Sequence, residues 1–162
     1  MTISIFSKLI KANEKDDVID LKAIANTLAV QIKLDKNLAD HCHIFLDTDA
    51  VVTIKLNASL TNSMKKTYVA IALAEFLLTP ERISTKGITY DMFFLKELYR
   101  ERHSSRMLLA TRLVLPETII HDIIDGNIQP EIHAEKIGYE REFVKNVVKH
   151  DSALFLIENF SQ

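Results

Sequence analysis

Glu75 is the one charged residue in the run Tyr-Val-Ala-Ile-Ala-Leu-Ala-Glu-Phe-Leu-Leu at positions 68–78. A carboxylate there either points into a cleft and holds an arginine, a lysine or a water network, or lies at the helix surface. Buried, it needs a cation beside it, because an unpaired buried carboxylate is costly. His41-Cys42-His43 is the one cluster of soft metal-ligand types. In a strand His41 and His43 share one face and Cys42 takes the other. Two ligands fall short of a metal site, and the plainer use is an exposed strand surface over an ordinary buried cysteine. A third group is Arg100-Glu101-Arg102-His103-Ser104-Ser105-Arg106. His103 beside Ser104 and Ser105 has the residue types of a base and a nucleophile, but sequence neighbours on a helix do not face one another, so this reads as a solvated face. Arg100, Arg102 and Arg106, with Arg112 further on, suit an acidic peptide or partner. Pairing with Glu97 and Glu101 at helical spacing is the competing use.

The elements that must position these groups follow from periodicity. Ile3, Phe6, Leu9 and Ile10 keep helical spacing and predict a short first helix, followed by a charged break at 13–17. Asp20 is a helix N-cap ahead of Leu21, Ile24, Ala25 and Leu28, with an end near Ala29. Segments 30–34, 41–47 and 51–56 then change to strand patterning, separated by Asp- and Asn-containing turns, and predict a small three-stranded antiparallel sheet. Helix resumes at 62–78 and stops at Pro80; a long helix is expected over 90–114 with a polar middle at 100–106 that kinks it or is exposed. Three short helices at 117–124, 130–137 and 140–148 and an apolar tail at 153–160 complete the chain. The fold class is α+β, dominated by helices.

Composition narrows the function classes. The 162 residues suit one domain, and a formal net charge of -2 gives no global basic field for nonspecific nucleic-acid binding. A single cysteine excludes an intrachain disulfide and fits a reducing compartment. No signal-peptide pattern and no apolar stretch of membrane-spanning length is present, so a cytoplasmic protein without a membrane partner is expected.

Beyond these readings, the order of several segments resembles the ImmA/IrrE-like metallopeptidase family. In that family the segment matching 65–78 carries His-Glu-x-x-His between an Ala and an aromatic-Leu-Leu ending; here Ala70 and Phe76-Leu77-Leu78 keep the frame. Residues 20–32 are similar to the family's opening helix and first strand, and Thr53-Ile-Lys-Leu-Asn57 to the strand before the zinc helix. Met107-Leu-Leu-Ala-Thr-Arg-Leu-Val-Leu-Pro116 is similar to its Asn-x-Phe-Ala-x-x-Leu-Leu-Met-Pro segment, with Ala110, Leu113 and Pro116 in register. Residues 133–144 resemble a closing helix-turn-helix-like unit, although Glu135, Glu140 and Glu142 dilute its lysines and argue for packing rather than DNA reading.

The resemblance implies a zincin-like single domain over 1–162, with a degenerate peptidase core at 1–115 and a helical part at 116–162. The two zinc-histidine positions fall on Ile71 and Glu75, the catalytic glutamate on Ala72, and the third ligand on Ser105. Isoleucine has no lone pair, alanine accepts no proton, and one carboxylate cannot hold the ion. The expectation is a catalytically inactive protein without a metal or other cofactor. It would bind a regulatory protein, a helix-turn-helix repressor in the case of a phage or mobile-element antirepressor, through Glu75, Arg100, Arg102, His103 and Arg106. Two alternatives stand beside it. One is a hydrolase with a relocated metal centre of Glu75, His103 and a third group, although residues two apart on a helix turn by about 200°, so His103 and Ser105 cannot share a face. The other is a structural or oligomerising phage or satellite protein, with a homodimer as its simplest form.

Overall fold

The computed structural model describes residues 3–101 and 104–149. The fold is α+β, with eight α-helices and two small sheets among the described residues. The first helix, α1 (Ile3–Ala12), buries Phe6 and Ile10. The charged break after it forms a two-stranded hairpin, β1 (Glu14–Lys15) and β2 (Val18–Ile19), turned by Asp16 and Asp17 at positive φ. Asp20 then caps α2 (Leu21–Thr27), its carboxylate accepting the Ala23 N–H at 3.0 Å.

The main sheet has four strands rather than three, and it is mixed rather than antiparallel. Its order is β3 (Gln31–Asp35), β5 (Val52–Asn57), β4 (Cys42–Leu46), β6 (Ile88–Tyr90), with β3 parallel to β5 and the other pairs antiparallel. The β4–β5 connection is local. Asp47 builds it by accepting the N–H groups of Asp49 and Val51, both at 2.9 Å, and these bonds, the Val51 one foremost, hold its carboxyl below the usual range. The β3–β5 pairing is not local, since the chain from β3 crosses to β4 before β5 forms. Asn57 fastens that crossing: its amide donates to Leu38 O at 3.0 Å, and its backbone N–H to His41 O at 2.9 Å. β6 comes from a segment well beyond β5, with α3 between them, and enters the sheet through Gly87 at φ +67.

α3 (Asn62–Leu78) is the central helix. Thr61 caps it by accepting the Met64 N–H, and every residue from Thr67 to Glu75 is buried. Over that stretch the helix has no solvent face, and α3 packs against both β5 and α5. The expected long helix over 90–114 is instead two: α4 (Met92–Arg100), capped by Asp91, and α5 (Ser105–Val114), capped by Ser104. Ser104 satisfies a backbone N–H only where the helix starts afresh, accepting from Met107 at 3.2 Å. Ser104 is therefore a buried cap rather than part of a solvated face. α6 (Glu117–Ile124), α7 (Pro130–Ile137) and α8 (Arg141–Lys149) follow as expected, with Gly138 closing α7 in the left-handed conformation. The expected apolar tail at 153–160 lies outside the described residues. No helix among the described residues is long and apolar enough to cross a membrane.

Cys42 is fully buried on the core face of β4 as a free thiol, and burial pushes its pKa far up. A thiol-reactive dye at pH 8 is expected to leave the native protein unlabelled and to label one equivalent in denaturant, since the thiolate is the reactive form. Full labelling without denaturant would contradict this burial.

Candidate functional site

The C-terminal turn of α3 carries Glu75, whose side chain is almost wholly buried. The helix ends one turn later. The Thr79 N–H donates to Glu75 O at 2.9 Å and the Thr79 hydroxyl to the same oxygen at 3.0 Å; Pro80 then opens a 3-10 turn, Pro80–Arg82, that carries the chain back beside the helix end. The reversal brings Arg82 to the carboxylate, with Nη1 3.2 Å from Oε1. From the other side Arg106, in the first turn of α5, places Nη1 3.1 Å from Oε2. The Arg82 contact is one of charge alone, because Oε1 has no aligned hydrogen bond among the described residues. Arg106 is also held by its flat face, its guanidinium carbon 5.2 Å from the Phe94 ring centre, while Phe94 lies against Tyr90 at 4.7 Å.

Tyr90 lines the same buried corner. Its hydroxyl has no hydrogen-bond partner among the described residues, and burial, reinforced by the Glu75 charge, pushes its pKa up. The nearby Arg106 guanidinium opposes that shift without meeting the hydroxyl in hydrogen-bond geometry. The cluster is one carboxylate held between two guanidinium groups. The contacts tie the end of α3 to the Pro80 turn and to the start of α5.

Of the residues singled out in the sequence, the structure brings Glu75 and Arg106 together and selects the buried, arginine-paired use of Glu75. Ile71 and Ala72 are fully buried in the apolar body of α3, and Ser105 is exposed at the start of α5. Arg100 is exposed and pairs with Glu97 at 2.9 Å, the competing use foreseen for it. Arg102 and His103 lie outside the described residues, and with them the relocated metal centre of Glu75 and His103. Glu101 is the exposed C-cap of α4. Arg112 does not belong to a surface basic cluster: it is buried, donates to Leu115 O at 3.3 Å, and has its pKa lowered by burial.

The histidines of β4 also separate. His41 precedes the strand and its Nδ1 meets the Tyr68 hydroxyl on α3 at 2.8 Å, whereas His43 meets Lys86 O at 2.8 Å and stacks on Phe45. A shared face required both to lie in regular strand, and His41 stands at a bend ahead of β4. Among the described residues no three His, Cys, Asp or Glu side chains are grouped to hold a metal ion. A zinc ion of the kind the resemblance implies does not fit the α3 positions, because Ile71 and Ala72 offer no donor and both Glu75 oxygens already face guanidinium groups.

Sequence reading missed Arg82, Tyr90 and Phe94 as parts of this corner. A signal for Arg82 existed, since a carboxylate in an apolar helix needs a cation and Pro80 turns the chain back just after it. No family model, curated protein or solved structure matches the chain.

Proposed function

We propose that this chain is a catalytically inactive relative of the ImmA/IrrE-like metallopeptidases, with a zincin-like ancestry, that acts by binding a regulatory protein without cutting it. The observation that carries the reading is Glu75 clamped between Arg82 and Arg106, at the helix position where the resemblance puts a zinc histidine. Two fixed positive charges within 3.2 Å of the carboxylate oppose a divalent cation, so the corner supports an ion-pair lock in place of a metal. Beside the lock, the first turn of α4 exposes Met92 and Phe93, the latter 73 % accessible. A large aromatic standing out of a helix next to charged residues suits a protein partner. A helix-turn-helix repressor is the partner class the resemblance implies.

The test is co-purification from the native host together with metal analysis. The expected result is an intact repressor recovered with the protein, no stoichiometric zinc, and about tenfold less partner on Phe93→Asp. Cleavage of the partner, or zinc lost on Glu75→Ala, would overturn the reading. Restoring the motif with Ile71→His, Ala72→Glu and Glu75→His is expected to yield neither zinc binding nor proteolysis. Ser105 still leaves the third ligand missing, and Arg82 and Arg106 still face the site. A melting temperature well below that of the parent should accompany it, since charge enters the fully buried middle of α3.

A further inference from the structure

A second surface lies at the opposite edge of the main sheet. The register of β3 on β5 sets Ile32 beside Ile54 and Leu34 beside Leu56, so Ile32 and Leu34 continue the face that is buried in β5. They are nevertheless 36 % and 61 % exposed, and the core face of the sheet runs out into solvent along its edge strand. Next to it opens a groove of about 680 Å³ whose apolar lining includes Leu21, Ile32, Leu56 and Val69. Lys15, Lys22, Lys65 and Lys66 line the same groove. Among the described residues none of these ammonium groups has a carboxylate within salt-bridge distance, unlike Lys55 and Lys145. Lys66 instead reaches Ile137 O at 3.3 Å and lies over the Tyr139 ring. Asp20 is the acidic residue of the lining, and its Oδ1 is taken by the Ala23 N–H as the cap of α2. A chain with a formal net charge of -2 thus gathers four lysines without salt-bridge partners around one apolar groove.

We propose that this groove is a docking site for an acidic amphipathic segment of another protein, which seats its apolar side chains on Val18 and Ile32, over a floor formed by Leu56 and Val69, and sets its carboxylates among the four lysines. The distribution of charge selects this occupant. A fatty acid offers one anionic head, whereas lysines contributed by β1, α2 and α3 are separate cationic points that call for several carboxylates along one ligand. Apolar anchors with charged flanks are how an amphipathic helix lies in a groove, and complementary charge adds association rate and orientation. The assignment is independent of the lost-peptidase reading, because none of these residues belongs to the Glu75 corner.

The probe is a fluorescein-labelled peptide, Leu-Glu-Glu-Leu-Leu-Glu-Glu-Leu-Leu-Glu-Glu-Leu, titrated with the full chain and followed by anisotropy. Saturable binding is expected, weakening as salt is raised. About tenfold loss is expected on combined Lys15→Glu, Lys22→Glu and Lys65→Glu, and a similar loss on Ile32→Asp alone. The same peptide with lysine in place of glutamate should not bind. Each variant is checked for an unchanged circular dichroism spectrum; the lysine set and the edge-strand variant probe the site separately, so misfolding of one leaves the other decisive. Equal binding of the glutamate and lysine peptides, no binding of either, or indifference to both variants would overturn the proposal. So would palmitate binding in place of the peptide, or a dimer in sedimentation that Ile32→Asp dissolves, since the occupant would then be an amphiphile or a second copy.

Discussion

Gly87→Ala is expected to lower the stability of the fold by about 3 kcal/mol, read as a fall in the urea midpoint at constant slope. Two costs add. Gly87 has φ +67, where an L side chain costs roughly 1–2 kcal/mol. A Cβ there would also stand 2.1 Å from Ile44 O and 2.6 Å from Phe45 Cβ, and overpacking of that kind typically costs about 1–3 kcal/mol. Neither neighbour is the free end of a flexible side chain; Ile44 O is backbone within β4. Relief requires β6 to move off β4, which disturbs Tyr90 and, directly after it, the Asp91 cap of α4. Gly126→Ala is the internal control. Its φ of +77 carries the same conformational cost but its Cβ meets nothing within 4 Å, so a loss of about 1 kcal/mol is expected. Equal losses at the two positions would mean that β6 does not lie against β4.

The same glycine shows where sequence reasoning reached its limit. Asp20 as a cap, the 62–78 helix with its Pro80 stop, and the three short helices at the end are local features, set by capping chemistry and periodicity within a few residues. The β4–β5 hairpin is local as well, and its antiparallel sense was legible. The partner of β3 was not. Its alternation looks the same whether it pairs with β4 or, in parallel, with β5, and the choice rests on how the crossing tied by Asn57 packs. β6 was missed because Ile88-Thr89-Tyr90 is too short to show a period, and Tyr90 reads equally well as the start of a helix. The break between α4 and α5 was half visible. A polar middle argued for a kink or exposure, but that Ser104 would cap a new helix depended on the burial of every residue from Met107 to Val114. At the candidate site, the need of Glu75 for a cation was legible, while the identity of both cations required the turn at Pro80 and the start of α5.

That pair of cations leads to the second large effect. Arg106→Met is expected to destabilise the protein by about 2 kcal/mol, because it removes the better-buried of the two cations and leaves Glu75 only the solvent-screened contact with Arg82. Arg82→Gln is expected to cost under about 1 kcal/mol, since Arg82 is 60 % exposed and water screens its contact with Glu75. Glu75→Leu should fall between them. It strands Arg106, but that side chain is 23 % exposed and can turn its head toward solvent while its stem still packs on Phe94. The decisive variant joins Glu75→Leu with Arg106→Met. Two apolar side chains replace two opposite charges, and such exchanges are often neutral or stabilising. The double variant should therefore recover most of what Arg106→Met loses, a coupling of at least about 1 kcal/mol in a double-mutant cycle. Additive losses would mean that Glu75 is solvated and that the lock does not exist. Recovery would separate stability from any binding role, because the double variant keeps the fold and removes both the charge on α3 and its partner on α5. A partner that still binds it does not read the lock; a partner that is lost reads these two charges directly.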